Sequence, residues 1–374
     1  MATWESHEGL LQQAIPNYNR KTFVNISNTK TQYTFFPSMR GRAQYAEKNK
    51  LKFGMPNHVS DTGGTEYVFN VQVAKGSTFS WVRETTPINI VRQDYQKQVR
   101  LPRRMCRTHW SINMRETEAC KGPEELTDLM TARKIGDDQD WADSFETWGW
   151  GVPPTFSDEQ TAFPLRYWIF CQPEGDGAPA YAAPFSGDGG FLNNNHASYT
   201  AGPGGLSRVT YPMWGNYNFQ YSAFNDALID KIAIAVLKTE FDAPVQHPDK
   251  IQGPPDKAMY TGISNVVARA KMARQQNDQN TSDLMSRFAE NSVFRIPMYY
   301  VPQLDDVLMY GALNRSPIFG LNWNTWYMAT SGGFNLKDAL FQPDRSAPMD
   351  VTHARYLETQ TVCCSPRENW VATL

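Results

Sequence analysis

The hydrophobic positions of this chain have no period up to residue 60, a period of two from 65 to 114, and a helical period from 123 to 149. In the first stretch Phe23, Tyr33, Phe35, Phe36 and Tyr45 stand apart among polar and charged residues. A short helix is predicted from Trp4 to Ala14, ending at Pro16. An arm without a core of its own is either disordered or ordered against something else, and the spread of aromatics favours a partner. From residue 65, Tyr67, Phe69, Val71 and Val73 alternate with polar or small neighbours. The same alternation recurs with Tyr95, Val99 and Leu101, and again with Cys106, Thr108, Trp110, Ile112 and Met114. It predicts an antiparallel ribbon with one polar face, turning near Gly76-Ser77 and Thr86-Pro87. Pro123, Glu124 and Glu125 then open a long helix whose narrow stripe is Leu126, Leu129, Met130, Trp141, Phe145 and Trp148. Gly136 marks a point where that helix bends or breaks.

Beyond the helix, Arg166 to Phe170 reads as a strand. Residues 172–218 are rich in Gly, Pro, Asn and Ser, with Tyr181, Phe185, Phe191, Tyr199, Tyr211 and Trp214 among them. They predict a long insertion laid across a surface in an interaction role. A core helix is predicted from a cap at Ser222 or Asn225 to Lys238, apolar around most of its circumference. A second helix starts near Ser264, with Ile263, Val266, Val267 and Ala270 on one side. Strands follow at Val293 to Val301, interrupted by Pro297, and at Trp323 to Met328. A turn at Gly332-Gly333 precedes the last strands, Leu336 to Phe341 and Thr352 to Val362.

Composition narrows the function. The 374 residues carry a net charge of −2, so no global electrostatic footprint for nucleic acid or acidic membranes exists. Aromatic content of 13% favours β-structure and broad contact surfaces. The start lacks the basic and apolar regions of a secretory signal, and the longest apolar run, Ile232 to Leu237, is far too short for a bilayer. Five cysteines without CxxC spacing read as free thiols of a reducing compartment. Six scattered histidines offer no metal-binding spacing, and no nucleophile elbow, dinucleotide fingerprint or phosphate loop occurs. Asp137, Asp138, Asp140 and Asp143 lack the alternation of a calcium loop and read as a solvated helix face. Arg100, Arg103, Arg104 and Arg107, flanked by Arg92 and Lys97, form the densest basic patch and suit an acidic neighbour or phosphates. The expectation is a non-enzyme with no cofactor and no metal.

The order of parts is polar arm, β-ribbon, long helix, surface insertion and mixed α/β unit, with Arg295-Ile296-Pro297-Met298-Tyr299-Tyr300-Val301-Pro302 and Ile318-Phe319-Gly320 in the last part. That order resembles the major capsid proteins of tailed bacteriophages, which have the Hong Kong 97-type fold. Arg295 departs from the glycine usual at its position, and the insertion is longer than in a minimal member. The resemblance implies an α+β chain divided into an N-terminal arm (1–60), an extended β loop (61–114), a peripheral domain with spine helix and insertion (115–221), an axial domain (222–334) and a return to the peripheral domain (335–374). It implies self-assembly as hexamers and pentamers into an icosahedral head shell around packaged double-stranded DNA. The implied partners are a portal protein at one vertex, with scaffold and cement proteins as further candidates, and no membrane. The implied location is the virion, assembled in the host bacterial cytoplasm. Contacts between copies are assigned to Trp81, Arg92, Arg100, Arg103, Arg104, Phe23 and Phe35. Two alternatives stay open: another virion component of tail or decoration type, and a carbohydrate-binding or hydrolytic protein using aromatic stacking with two carboxylates.

Overall fold

The ribbon, the long helix and the mixed unit all form, but the partners of several strands differ from the expected ones. The computed structural model describes residues 34–35, 64–74, 94–120, 123–154, 158–169, 189–195, 199–240, 257–276, 292–305, 316–330, 337–338, 342–343 and 350–373. In chain order its elements begin with β1 (Glu66–Gln72), β2 (Gln96–Pro102), β3 (Met105–Asn113), α1 (Met114–Ala119), α2 (Pro123–Trp150) and α3 (Leu165–Trp168). Next come β4 (Gly190–Phe191), β5 (Tyr217–Gln220), α4 (Asp226–Lys238), β6 (Lys257–Thr261), α5 (Ile263–Gln276), β7 (Ser292–Val293) and β8 (Ile296–Tyr300). The last are β9 (Ile318–Asn322), β10 (Trp326–Thr330), β11 (Lys337–Asp338), β12 (Gln342–Pro343), β13 (Asp350–Cys363) and β14 (Trp370–Thr373). The expected helix at Trp4 to Ala14 and the turns near 76–77, 86–87 and 332–333 lie outside the described residues.

β1 and β2 pair antiparallel, with Tyr67 opposite Leu101 and Phe69 opposite Val99. All four side chains are buried, and the alternate positions are wet, as a period of two requires of a half-covered ribbon. β3 does not continue that ribbon. It pairs with β13 from Asn113–Asp350 to Met105–Glu358. Alternation fixes which face of a strand is apolar but not which strand lies beside it, so this long-range partner left no local mark. β13 also takes β10, β11 and β12, and serves as the spine of a five-stranded sheet.

The mixed unit is a seven-stranded sheet in the order β4-β5-β14-β9-β6-β8-β7. β6 and β8 run parallel with α5 between them in sequence, a βαβ crossover. β14 enters the middle of the sheet, parallel to β5 and antiparallel to β9. Nothing in the sequence reading placed a strand there. Gly320 on β9 admits the Trp370 ring, since a Cβ at this position would stand 2.0 Å from it.

Other expectations are corrected by burial. Leu165, Arg166, Tyr167 and Trp168 form a short helix, not a strand; all four are buried, so the run had no period to read. From Tyr199 onward the expected surface insertion belongs to the core, with Tyr199, Leu206, Trp214 and Phe219 buried. Tyr181 and Phe185 lie outside the described residues. α4 is capped by Asn225, as read, but its buried face is Leu228, Ile232 and Ala235, and Leu237 is 71% exposed. α5 turns Ile263 and Val267 outward and buries Asn265, whose amide bridges Tyr221, Thr261 and Ser316. The strand expected at 293–301 is a hairpin, β7–β8, closed by Phe294 and Arg295 at φ 53° and 63°. Tight hairpins need such left-handed turn residues, and the usual Asn-Gly signal is absent here. The aromatic strand expected at 323–328 is split by a 3-10 turn, Trp323–Thr325, which starts β10 at Trp326.

Candidate functional site

α2 is the element on which the other parts converge. It runs from Pro123 to Trp150 without interruption at Gly136, around which a Cβ would meet open space. Leu126 and Met130 pack with Ile112 and Val351 on the β3–β13 pair. Trp141 and Phe145 belong instead to the large core that holds β1, β2, β9 and β10 residues. One helix therefore ties the base of the ribbon to the five-stranded sheet.

The middle of α2 is held by charge. Arg355 on β13 reaches Asp137 at 3.8 Å and also contacts Asp138, and the Asp137 side chain is only 4% exposed. The expected solvated face is thus half right: Asp137 is enclosed and Asp138 stays wet. Burial pushes the Asp137 carboxyl above its ordinary range, against the opposing pull of the Arg355 and His353 charges. A raised carboxylate pKa means the folded state binds the proton more tightly than the unfolded one. Ionisation of Asp137 therefore costs stability at neutral pH, and that cost fades as pH falls through the folded-state pKa. Arg355→Ala is expected to destabilise by about 1–3 kcal/mol at pH 7, below the range for a wholly buried pair because Asp138 is open to water. The loss should shrink at pH 5 and be abolished by adding Asp137→Asn; thermal melts at the two pH values read both effects.

The C-terminal end of α2 carries a receptacle built around Glu146. Glu146, fully buried, accepts from the Thr34 amide at 2.9 Å, the Thr34 hydroxyl at 2.9 Å, the Phe35 amide at 3.0 Å and Trp150 Nε1 at 3.0 Å, all through one oxygen. The Phe35 ring is buried against Phe145, Trp148 and Trp150, with centroids 5.8, 5.8 and 6.1 Å away. Gly149 makes that seat possible, because a Cβ there would stand 2.1 Å from the Phe35 ring. Four donors on a buried carboxylate are what its charge needs to stay folded inside. Beside the receptacle a groove of about 330 Å³ runs between β3 and α2, lined by Met105, Cys106, Trp141, Phe145 and Trp148 among others. Sequence reasoning passed over Glu146, since a glutamate on a polar helix gives no sign of burial.

The residues assigned to contacts between copies are scattered. Phe23, Trp81 and Arg92 lie outside the described residues. Phe35 sits in the receptacle. Arg103 stacks over the Tyr67 ring at 4.8 Å and approaches Glu358 at 3.9 Å, with a side chain only 9% exposed. Arg104 donates to the Asp158 carbonyl at 3.0 Å. Arg100 faces solvent, 4.0 Å from Glu66 and hydrogen-bonded to Gln98. Among the described residues no group of three or more His, Cys, Asp and Glu is placed to hold a metal, and no helix is long and apolar enough to cross a membrane.

The architecture has counterparts among solved structures. A chain of the cyanophage A-1(L) capsid asymmetric unit superposes with a TM-score of 0.55 at 11% identity, over 95% of this chain and 96% of that one. The fold is that of a phage capsid chain. The capsid of the native GTA particle gives a TM-score of 0.51 at 9% identity, over 96% of each chain. No family model matches the sequence, and no curated protein matches it. The likeness is thus one of fold, spread over 95% or more of the chain, and the mixed helix and sheet content read from the sequence is observed.

Proposed function

We propose that this chain is the major capsid protein of a tailed, double-stranded DNA bacteriophage, with the Hong Kong 97-type division into arm, extended loop, peripheral domain and axial domain. The observation that carries this reading is the end-to-end match to a capsid chain, 95% of one and 96% of the other. A single enzymatic domain grafted on a larger protein would match in part; a shell subunit matches throughout. The protein acts by binding copies of itself, as hexamers and pentamers that close into an icosahedral shell, with a portal at one vertex and scaffold or cement proteins as further partners. Its place is the virion, after assembly in the host bacterial cytoplasm. A net charge of −2 suits a container that surrounds DNA without gripping it. Closed shells need contacts on several sides of each subunit. Trp81, Arg92, Phe23 and the solvent-facing Arg100 are the residues assigned here to those contacts. Arg103 and Arg104 are engaged within their own chain, so reversing their charge would act on the subunit before it acts on an interface.

Negative-stain microscopy and light scattering of the purified chain test the reading. Closed shells built of hexamers and pentamers are expected. Rings, tubes or trimers alone would move the protein to the tail or decoration class, and a monodisperse single copy would remove it from the virion.

A further inference from the structure

We propose that the open edge of β3, together with the aromatic groove beside it, is a docking site for a short acidic segment of another protein, which joins the five-stranded sheet as a further strand. Among the described residues β3 pairs with β13 and with no other strand. The register opposes Met105 to Glu358, and one step before it the Thr359 amide donates to the Arg104 carbonyl at 2.9 Å. In an antiparallel pair, residues that exchange bonds alternate with residues whose amide and carbonyl point the other way. Arg104, Cys106 and Thr108 therefore bond inward to β13, while Met105, Arg107 and His109 turn three amides and three carbonyls to the outer edge. Among the described residues no hydrogen bond reaches any of these six groups. β3 has no proline and no bulge to blunt this edge. It carries cations instead, Arg107 and His109, which repel a like-charged strand and admit an acidic one.

The groove fixes which side chains the added strand must carry. Ile112 packs against Leu126 and Met130, so the even-numbered side chains of β3 face α2 and the odd-numbered ones face away. Met105, Arg107 and His109 are accordingly exposed. On the inner side lies the groove of about 330 Å³, where Cys106 and Thr108 share a lining with Trp141, Phe145 and Trp148. A strand laid beside β3 would put alternate side chains into this groove and the others next to Arg107 and His109. Those in the groove must be apolar, because its floor is aromatic and Asp140, the one carboxylate among its lining residues, repels an acid there. Those outside must be acidic, because β3 has no carboxylate of its own and, among the described residues, Arg107 and His109 form no ion pair. Residues 105–109 offer roughly 16 Å of edge, and residues 141–148 roughly 10 Å of helix beside it, which suits a segment of about five residues.

The rival occupant is a second copy of this chain. Two β3 edges paired about a two-fold axis here would set Arg107 against Arg107 or His109, cation on cation. Charge therefore selects a different protein, one that presents acidic and apolar residues in alternation. Main-chain bonds then hold any extended backbone, and the groove chooses among side chains, as in other cases of strand addition. The site is complete in one subunit and so stands apart from the shell reading.

The test uses the full chain and a fluorophore-labelled peptide, Glu-Val-Glu-Leu-Glu, blocked at both ends, with anisotropy as the readout. Saturable binding is expected, at least tenfold weaker to Arg107→Glu and to Ser144→Trp, whose indole would fill the groove from an exposed position on α2. The peptide Lys-Val-Lys-Leu-Lys should bind the unsubstituted chain at least tenfold more weakly than the acidic one, and recover on Arg107→Glu. Methylating alternate amides of the acidic peptide should abolish binding for one set and spare it for the other, since only one edge of an added strand faces β3. No saturable binding, equal binding of the acidic and basic peptides, or equal tolerance of both methylated sets overturns the proposal. Hydrogen exchange of the unliganded chain tests the rival occupants. Fast exchange at the Met105, Arg107 and His109 amides, slowed by the acidic peptide, is expected. Slow exchange without peptide would mean that the chain covers its own edge or, where protection grows with protein concentration, that a second copy does; either result overturns the proposal. None of these measurements needs shells, so their failure is distinct from a failure to form shells, which removes the capsid reading alone.

Discussion

Glu146→Ala is expected to release residues 34 and 35 from α2 and to lower subunit stability by about 3 kcal/mol, the loss of charge-assisted bonds together with burial of one phenyl ring. The full sum over the Glu146 bonds would be larger. It is not reached because the freed Thr34 and Phe35 amides recover water once the arm leaves, and only Trp150 Nε1 stays inside, 3.3 Å from Thr34 Oγ1 in the intact receptacle. Glu146→Gln keeps an acceptor oxygen in place without the charge and should cost about 1 kcal/mol, the value of a neutral hydrogen bond. Two measurements check the pair. Denaturant unfolding gives the ranking, Ala worse than Gln. Limited trypsin digestion at Lys30 and Arg40, on either side of the held residues, should accelerate in the alanine variant well before the rest of the chain is cut. Unchanged digestion would mean that the arm is held by something other than Glu146.

The receptacle explains why one part of this chain was legible in sequence and another was not. A period of two exposed the β1–β2 ribbon, because one face of each strand is covered and the other wet: Tyr67, Phe69, Val99 and Leu101 against Gln96, Gln98 and Arg100. The stripe of α2 was legible for the same reason. Glu146 was invisible because its partners lie 111 and 112 residues upstream, and a carboxylate on a polar helix looks the same in sequence whether water or protein supplies its donors. Fully buried segments were equally mute. Leu165 to Trp168 and β14 have apolar or enclosed residues on every side, so no period survives to tell helix from strand. The opposite error came at α5, where Ile263 and Val267 suggested a buried face and Asn265 holds it, because three acceptors around its amide replace what apolar contact would have supplied. The fold was the more durable signal: at 11% identity to the cyanophage chain few residues are shared, yet the superposition still takes in 95% of this chain.

Asn369→Leu is expected to be the most damaging single change near the centre of the molecule, at about 3–5 kcal/mol for two orphaned donors in a dry core. Asn369 is fully buried just ahead of β14, and its carboxamide joins three segments. Oδ1 accepts from the Asn322 amide and from Trp326 Nε1, both at 2.9 Å. Nδ2 donates to Thr325 Oγ1 and to the Ser365 carbonyl, both at 3.1 Å. Its own backbone carbonyl takes the Tyr217 amide at 3.0 Å, which starts the parallel pairing of β14 with β5. One side chain therefore sets where β9 ends, where β10 begins and where the last strand enters the sheet. Leucine has the same branching at Cγ but a larger volume and leaves no room for water, so the Asn322 and Trp326 donors would stay bare. Asn369→Ala opens space in which a water can bridge the same groups, and should be the milder variant by about 1–2 kcal/mol, since a bridging water recovers much of a direct bond. That order is contrary to what apolar burial alone predicts, where the larger side chain would be the better one. Thermal unfolding of the two variants decides between the accounts: alanine melting above leucine supports the hydrogen-bonded junction, and leucine melting above alanine would mean that packing volume, not the carboxamide, holds the strands together.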